Sequence, residues 1–313
     1  MLIRKALAAD KVNIVGLLKI SLGEGLLKKN TPVWAYKHEA NPFGTSYVLV
    51  AEEDQKLIGV RAFMAWNWQK GTQLWKAYRA VDTATHPAHQ GKGIFKKLTL
   101  QALNDVGAFS PCFIFNTPNA QSKPGYLKMG WKAVGKIRLG MWLVPLLTLY
   151  YRNKGENNLR NRIGDAELKM VCDNHNEKLS YKNCFFTPKT PEYLKWRYEN
   201  NPMQHYTVYS DIDFFVAVYV KKHKYFNELR IVEYLGASRG EQQRVLERQL
   251  LAVARKEGCL IISAAQTDLF FGGIKGNFGP ELVCREIEGH AVPELFKGIQ
   301  ENWCYSLGDL ELF

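Results

Sequence analysis

The sequence lacks most of the signals that would assign it to a common class at once. Its 313 residues include six cysteines, none of which lies in a C-x-x-C pair or at a spacing typical of metal ligands. The most apolar stretch, Met141 to Tyr151, contains Pro145 and is shorter than the roughly 20 residues of a membrane-spanning helix. We therefore expect reduced thiols, no metal and no membrane partner, and we interpret 141–151 as a buried linker.

Motifs for several reaction classes are also missing. There is no G-x-x-x-x-G-K-[ST] phosphate loop, no G-x-S-x-G nucleophile elbow and no H-E-x-x-H zinc motif. The glycines near residue 90 do not fit G-x-G-x-x-G, which argues against a nicotinamide site. The N-terminal segment MLIRKALAADKV has no apolar core of the kind found in secretory signals, so the sequence predicts a cytoplasmic protein.

Positive charge is the main bias in the composition. Forty-two Lys and Arg residues against 30 Asp and Glu give a net charge of +12, while the hydrophobic content of 46% is that of an ordinary globular protein. The excess favours an anionic ligand or surface. The only dense cluster, Lys221, Lys222 and Lys224, is more typical of a solvated strand end than of a nucleic-acid site, so we do not expect a nucleic-acid partner.

The stretch from Tyr78 to Val106 has the pattern of a strand, a glycine turn and an amphipathic helix. Gly91 and Gly93 form the turn. One face of the helix then carries the apolar residues Ile94, Phe95, Leu98, Ala102 and Val106. The first turn of a helix has free N–H groups and a partial positive charge, and glycine lets a phosphate approach the backbone closely. The stretch therefore predicts an anion site.

The residues of this turn resemble the GNAT superfamily of N-acetyltransferases, whose central signature is Gln/Arg-x-x-Gly-x-Gly/Ala after a strand. Gln90, Gly93 and Phe95 occupy the three signature positions, with Gly91 and Lys92 between the first two. Phe95 departs from the small residue of the family. Its amide remains available to a phosphate, but its ring needs a packing site that a glycine does not.

A second match to the same family lies downstream. In that family, a helix that carries an Asn leads to a Tyr, and this Tyr lies four residues before a Gly-aromatic pair. Asn119, Tyr126, Gly130 and Trp131 reproduce that spacing, although Pro124 shortens or breaks the expected helix. The two motifs occur in the family's order, and the resemblance covers roughly the first half of the chain.

The resemblance implies an acetyl-CoA-dependent N-acyltransferase that acts on a primary amine of a small-molecule acceptor. It also implies which residues bind coenzyme A: Thr83, Thr85, Gln90, Gly91, Lys92, Gly93, Ile94, Phe95 and Asn119. Tyr126 is implied as the catalytic acid that protonates the departing thiolate, a role that suits a phenol because it carries its proton at neutral pH.

The catalytic base is harder to assign from the sequence. An alkylammonium has a reference pKa of about 10.4, so the acceptor must lose a proton before it attacks. Asp82 is the main candidate because it stands in an otherwise neutral strand, with a structural hydrogen bond as the alternative interpretation. His86, Glu52 and Glu53 are further candidates, and in some family members water alone removes the proton.

The order of predicted elements occurs twice along the chain. The first half has strands at 46–52, 57–68, 75–85 and 110–116, and the second half has strands at 214–220, 229–235 and 259–264. In each half the last strand follows a helix. We therefore predict an α/β (α+β) protein of tandem GNAT-like domains, each a mixed, mostly antiparallel central sheet flanked by helices.

The predicted boundaries are a catalytic acetyl-CoA-binding domain at 1–145, a linker at 146–180 and a degenerate copy at 181–313. The copy lacks the phosphate signature, because the turn at 239–243 has one glycine and places Glu241 where an anion would lie. Between the first helix and the first hairpin, residues 23–45 are predicted as a loop-rich segment that either lines the acceptor pocket or simply packs.

The identity of the acceptor and of the reaction stays open at this stage. The PEYLKWRY stretch in the second half resembles acetyltransferases of bacterial polysaccharide biosynthesis, which suggests an amino sugar. One alternative is an aminoacyl-tRNA-dependent peptidyl transferase, which predicts tRNA affinity that falls steeply with salt. The other is a non-catalytic acyl-CoA-binding protein, because Phe95 and Pro124 depart from the family pattern.

Overall fold

The computed structural model describes residues 1–25, 28–108, 111–151, 163–236, 241–265 and 269–310. Its strands are β1 (Leu2–Lys5), β2 (Tyr47–Glu53), β3 (Lys56–Lys70), β4 (Gln73–Thr85), β5 (Cys112–Asn116), β6 (Lys132–Lys136), β7 (Leu139–Leu143), β8 (Thr207–Asp211), β9 (Phe214–Lys222), β10 (Asn227–Gly236), β11 (Cys259–Ala264), β12 (Ile274–Gly276) and β13 (Glu281–Glu286). They form two sheets, and the strands expected from alternating apolar residues are confirmed within a few residues of their predicted ends.

The helices are α1 (Lys11–Leu22), α2 (Thr31–His38), α3 (Ile94–Gly107), α4 (Lys123–Lys128), α5 (Val144–Tyr150), α6 (Asp165–Tyr181), α7 (Pro191–Leu194), α8 (Glu241–Lys256), α9 (Ile299–Asn302) and α10 (Leu307–Leu310). A π-helical turn, Lys195–Glu199, continues α7. The segment 153–162, the most polar part of the predicted linker, lies outside the described residues, as do residues 237–240, which include the start of the turn predicted at 239–243.

The first sheet has the strand order β1-β2-β3-β4-β5-β13-β6. The neighbours β4 and β5 are parallel, and they pair only from Lys76 opposite Cys112 to Arg79 opposite Phe115. Beyond that point β4 continues to pair with β3 but no longer pairs with β5. A bulge shifts the register of β4 against β3, opposite the segment between Val60 and Ala62 of β3. The parallel pair therefore opens into a cleft at the carboxyl end of β4.

The second sheet repeats this plan with the order β12-β7-β11-β10-β9-β8. Here β10 and β11 are the parallel pair, which ends where Ile231 faces Ala264. A bulge between Ile231 and Glu233 shifts β10 against β9. A second cleft therefore opens at the corresponding place, so the predicted fold of two mostly antiparallel mixed sheets with flanking helices is confirmed.

The two sheets exchange one strand each. β7, from the first half of the chain, lies between β11 and β12 of the second sheet, where it is antiparallel to both. β13, from the second half, lies between β5 and β6 of the first sheet in the same way. The domain boundaries at 145 and 181 stay a prediction. The structure adds that each half of the chain contributes one strand to the sheet of the other half.

Two reciprocal hydrogen bonds join Tyr36 in the first half of the chain to Trp196 in the second half. The Tyr36 hydroxyl donates to the Trp196 carbonyl over 3.0 Å, and Trp196 Nε1 donates to the Tyr36 carbonyl over 2.9 Å. The two rings stack with centroids 5.0 Å apart. Each ring is at the same place in its own half, at the end of the helical segment before the first hairpin. The pair buries both rings in a core cluster that continues from one sheet to the other.

Three expectations from the sequence are wrong in part. Residues 23–45 are not only loop, because Thr31–His38 is a helix whose first turn is capped by Asn30. The stretch 141–151 is not a buried linker, since it forms β7 and α5 and leaves Leu146 and Leu149 exposed. Finally, two of the six thiols are not free: Cys184 and Cys304 form a disulfide across 120 residues of sequence. Among the helices that the structure describes, none has the length and apolar character needed to cross a bilayer.

Candidate active site

The glycine turn lies at the mouth of the first cleft and leads into α3. Gly91 and Gly93 have φ values of 77° and 73°, a left-handed conformation that glycine adopts without strain. A Cβ atom on either glycine would meet no atom within 4 Å, so the space before the turn is open. The N–H groups of Gly93, Ile94 and Phe95 donate no hydrogen bond to any part of the chain that the structure describes. They are available to an anion.

Helix α3 is held tightly at this position. A Cβ on Gly59 of β3 would stand 2.7 Å from Ile94 and 3.0 Å from Leu98, so only glycine lets the helix lie this close to the sheet. Ile94 is buried there, as the amphipathic pattern predicted. Three exposed lysines lie near this helix end, Lys92 in the turn and Lys96 and Lys97 on α3. A rigid helix end with free N–H groups and three nearby cations is suited to phosphate binding.

A buried arginine joins β3 to the other predicted residues. Arg61 Nη1 donates to the Tyr126 hydroxyl over 2.8 Å and also to Thr83 Oγ1. Thr83 and Asp82 form the β4 bulge that lies opposite Arg61. Tyr126, on α4, is 5% exposed. The structure therefore brings Tyr126 and Thr83 to one guanidinium at the place where β4 leaves β5.

The same arginine is incompletely satisfied. Arg61 is fully buried, yet its Nε and Nη2 atoms have no hydrogen-bond partner among the described residues. Aromatic rings surround the guanidinium instead, with its Cζ atom 4.8 Å from the centroid of Phe63 and 5.3 Å from that of Tyr126. A buried cation with unpaired donors is costly unless it serves a partner that binds from outside.

Phe95, the departure from the family signature, packs within this cluster. Its ring meets that of Tyr126 edge to face with centroids 5.7 Å apart, and the Arg61 guanidinium lies 5.7 Å from its centroid. A Cβ on Gly125 would stand 3.2 Å from the ring, so Gly125 provides the room that Phe95 needs. The larger side chain thus supports the Tyr126 ring from the helix side.

The remaining predicted cofactor residues lie at the rim of the cleft. Gln90 reaches the Thr85 carbonyl only over 3.5 Å and is exposed. Asn119 precedes α4, and its Oδ1 accepts from the backbone N–H and the hydroxyl of Ser122 at 2.9 Å each. Pro124 occupies the first turn of α4, where its missing N–H is tolerated. The helix is short but present, and it places Tyr126 as described.

Asp82 lies on the other side of the bulge, in a cluster with α2. Its Oδ2 accepts from Lys37 Nζ and from His38 Nε2, the latter over 2.8 Å. His38 Nδ1 lies 2.8 Å from the Ser46 hydroxyl. No described residue reaches Asp82 Oδ1, and the side chain is 20% exposed. One carboxylate oxygen is therefore held by protein and the other is accessible.

The charge state of this cluster follows from its surroundings. Burial disfavours the Asp82 carboxylate, but Lys37 and the His38 hydrogen bond outweigh it and hold the pKa of Asp82 well below its usual range. Burial lowers the pKa of His38 against the opposing effect of Asp82. His38 is thus neutral beside an ionised carboxylate, so its Nε2 donates to Asp82 and its Nδ1 accepts from Ser46.

The other candidate bases are engaged elsewhere. Glu52 accepts from Arg4 Nε and Nη2 at 2.9 and 2.7 Å. Glu53 lies near the N-terminal ammonium and near His89. His86 accepts from the Ala88 N–H at 3.3 Å within a 3₁₀ turn. Asp82 is therefore the candidate that combines a position in the bulge with an accessible oxygen. Within the described ranges, no three His, Cys, Asp or Glu side chains are placed to hold a metal ion.

Sequence reasoning missed Lys37, His38 and Arg61. A signal for the first two was present, because KHEANP at 37–42 recurs as RYENNP at 197–202. In both copies the residue after the cation contacts a carboxylate at the bulge: His38 contacts Asp82, and Tyr198 donates to Glu233 over 2.9 Å. Arg61 left no signal in the sequence beyond a charge within an apolar strand.

Comparison with known proteins bears on the domain family and on the fold. Residues 20–134 match the family model of the acetyltransferase (GNAT) domain. No curated protein matches the chain significantly by sequence. Solved structures do match by fold. A GCN5-related N-acetyltransferase from Anabaena variabilis has a TM-score of 0.64 and 12% identity, over 92% of this chain and 73% of that one. A probable N-acyltransferase from Enterococcus faecalis has a TM-score of 0.63 and 10% identity over the same shares.

A third similar structure, a putative acetyltransferase from Pyrococcus horikoshii, covers 97% of this chain and 95% of its own with a TM-score of 0.52 and 14% identity. The chain thus carries a GNAT acetyltransferase domain at residues 20–134. Around it stands a tandem of GNAT-like sheets, the second of which repeats the strand plan of the first. The resemblance read from Gln90 to Phe95 and from Asn119 to Trp131 is confirmed.

Proposed function

We propose that the chain is an acetyl-CoA-dependent N-acetyltransferase whose working cleft lies where β4 leaves β5, within the first 145 residues. One observation carries the proposal: an open turn with three free N–H groups stands at the same cleft as the Tyr126 hydroxyl. The N–H groups and the exposed Lys92, Lys96 and Lys97 fit the phosphates of coenzyme A. Bound there, acetyl-CoA supplies an activated acetyl thioester.

Tyr126 is proposed to donate the proton that the leaving thiolate takes up. Because Arg61 already donates to the phenol oxygen, the Tyr126 hydrogen is left for another acceptor, and no described residue receives it. The guanidinium charge also favours an anion in its vicinity. Two further nitrogens of Arg61 have no partner among the described residues, and the β4 bulge at Thr83 lies opposite this residue.

Asp82 is proposed to bind the amine of the acceptor through Oδ1. Because its pKa is low, Asp82 stays ionised and is a weak base. We therefore assign it to orienting the amine, while water removes the proton. The neutral His38 and the cationic Lys37 fix the other oxygen, and this limits the rotation of the carboxylate. A primary amine on a small molecule, with an amino sugar as one candidate, fits this site.

The proposal is tested by placing a side chain in the turn. Gly93→Val projects atoms into the open space before the N–H groups, so we expect it to abolish the rise in unfolding midpoint that acetyl-CoA gives the wild-type chain. The substitution also strains the backbone by roughly 1–2 kcal/mol because φ is 73°. Gly258→Val is the matched control, since Gly258 has a φ of 62° and also has no atom within 4 Å.

Both variants should lose similar stability, but only Gly258→Val should keep the acetyl-CoA response and the release of free thiol with an amine acceptor. Equal responses to acetyl-CoA in the two variants would contradict the assignment of the turn. If tRNA raises the midpoint of the wild-type chain and acetyl-CoA does not, the peptidyl transferase alternative replaces this proposal. A response to acetyl-CoA without turnover on any amine would indicate a binding protein.

Asp82→Asn separates amine binding from acetyl-CoA binding. The amide keeps the shape but removes the charge that attracts an ammonium, a contribution of about 1.5–3 kcal/mol for a hydrogen bond to a charged group. We expect KM for the amine to rise roughly 10- to 100-fold, with no change in the affinity for acetyl-CoA. Steady-state kinetics with each substrate varied in turn checks this. An unchanged KM for the amine, with a lower kcat, would instead assign Asp82 to proton removal.

A further inference from the structure

A cavity of about 1430 Å³ lies in the second half of the molecule, apart from the turn and from Tyr126. It opens where β10 and β11 diverge, with Glu233 and Tyr234 of β10 and Ala265 after β11 in its wall. It thus occupies in the second sheet the place that the proposed acetyl-CoA cleft has in the first. Its volume exceeds the roughly 300–1,000 Å³ of most ligand pockets, so it has room for a large ligand.

Positive charge dominates the cavity wall. Besides Lys189, the cationic side chains that line it are Arg138, Lys178, Lys182, Arg244, Arg248 and Lys275. The carboxylates of the wall are Glu233, Glu247 and Asp309. Glu233 and Asp309 are both bound by Lys189 at 2.7 Å, and Glu247 accepts from the Tyr151 hydroxyl and from Gln243. The wall therefore carries more cationic side chains than carboxylates.

Two of these donors, Arg244 and Arg248, have no partner among the residues that the structure describes. Arg244 and Arg248 stand one turn apart on α8, and neither forms a hydrogen bond or a close ion pair with a described residue. The Nε atom of Arg248 is buried as well as unpaired. On α6, burial and the nearby Lys182 lower the pKa of Lys178. Like charges held together in this way attract an anion.

A further unpaired donor comes from the cavity wall near the C-terminus. Trp303 is 4% exposed, and its Nε1 has no hydrogen-bond partner among the described residues. Buried indole N–H groups usually find an acceptor. Trp303 and Arg248 both line this cavity, so two of its lining residues carry a buried donor without an acceptor among the described residues.

Exposed aromatic rings contribute apolar surface to the cavity wall. Tyr150 and Phe271 are 64% and 74% exposed, and their rings stack on each other with centroids 5.6 Å apart. The aliphatic side chains of the wall are Leu149, Leu179 and Leu269, of which only Leu149 is exposed. The surface therefore suits a flat ring better than a long acyl chain.

We propose that this cavity binds a nucleoside diphosphate or a larger molecule that contains one. The diphosphate is held by Arg244 and Arg248, and the base stacks on the exposed rings of Tyr150 and Phe271. Two sources share this chemistry, a coenzyme that carries adenosine diphosphate and a sugar nucleotide that carries uridine diphosphate. The site is independent of acetyl transfer at the first cleft, because no residue is common to the two.

The test is calorimetric titration of the full chain at 0.15 M salt with ADP, UDP, inorganic pyrophosphate and dihexanoyl phosphatidic acid. The Gly93→Val chain serves as the host, so that the first cleft does not contribute. We expect ADP or UDP to bind at one site, at least tenfold more tightly than pyrophosphate. The preference between ADP and UDP distinguishes the two sources.

The double substitution Arg244→Gln/Arg248→Gln should weaken this binding at least tenfold. Arg255→Gln/Lys256→Gln removes the same charge from the exposed end of α8, outside the cavity, and should change it less than twofold. Equal effects of the two pairs would overturn the assignment of the cavity. Pyrophosphate binding as tight as that of the nucleotides would overturn the role of the base. Binding of the phosphatidic acid alone would replace the nucleotide by an anionic lipid.

Discussion

Replacing Tyr126 by Phe is expected to lower kcat for acetyl transfer roughly 100- to 1,000-fold, because it removes the only proposed donor to the leaving thiolate. The ring contacts with Phe95 and Trp131 are kept, since Phe has the same aromatic body. The affinity for acetyl-CoA should therefore stay within about twofold of wild type. Initial rates by thiol release, together with the acetyl-CoA-induced change in midpoint, check both parts of the prediction.

Tyr47→Phe is the matched control for this experiment. Tyr47 packs against the same core cluster and its hydroxyl donates to Asp105 on α3, away from the cleft. It should lose a comparable amount of stability and retain its turnover. If Tyr126→Phe turns over at the wild-type rate, Tyr126 has no part in proton transfer. If both tyrosine variants slow equally, the effect comes from the packing of α3 and not from the phenol.

The largest effect on stability is expected from Lys189→Met. Lys189 is 3% exposed and contacts Glu233 and Asp309, each 1% exposed. Burial raises the pKa of Glu233. For Asp309, Lys189 and the hydrogen bonds from Ser306 outweigh burial and hold the pKa below its usual range. Without the cation, at least one buried carboxylate is left without compensation, which costs about 3–5 kcal/mol. Urea unfolding at pH 7 measures this loss.

The control is Lys195→Met, because Lys195 pairs with Asp165 over the same 2.7 Å but in solvent. Little loss of stability is expected there, because solvent screens both charges of an exposed pair. The pH dependence has a definite sign. In Lys189→Met the folded-state pKa values of the two carboxylates rise, so the variant becomes more stable as the pH falls. The difference in free energy of unfolding between the variant and wild type should therefore narrow between pH 7 and 5. If this difference is small at pH 7, or does not change with pH, the charge of Lys189 does not stabilise the cluster.

The parts of the site that depend on local sequence could be predicted. The turn at Gly91 and Gly93 needs only a left-handed conformation and a following helix, and both follow from residue type and periodicity. The spacing from Asn119 to Trp131 placed Tyr126 because it spans a single short helix. The roles of these residues remain proposals, but their positions agree with the prediction.

The parts that depend on distant contacts could not be predicted. Helix α2 was missed because Pro32 in its first turn and Pro42 just beyond its end are typical of a loop, yet Asn30 caps the helix and Trp196 packs against it from 160 residues away. The bond between Cys184 and Cys304 likewise depends on Phe185 lying beside Trp303. Neither contact has a periodic trace in the sequence.

The strand exchange has a consequence for how the protein is made. The sheet that carries the proposed acetyl-CoA cleft is closed by β13, at residues 281–286, which is inserted between β5 and β6. During synthesis one edge of β5 and one edge of β6 must therefore stay unpaired until residues 281–286 have left the ribosome. We therefore expect that neither half folds alone. A chain cut at the midpoint would give two incomplete sheets, each of which is completed only when the two halves bind each other.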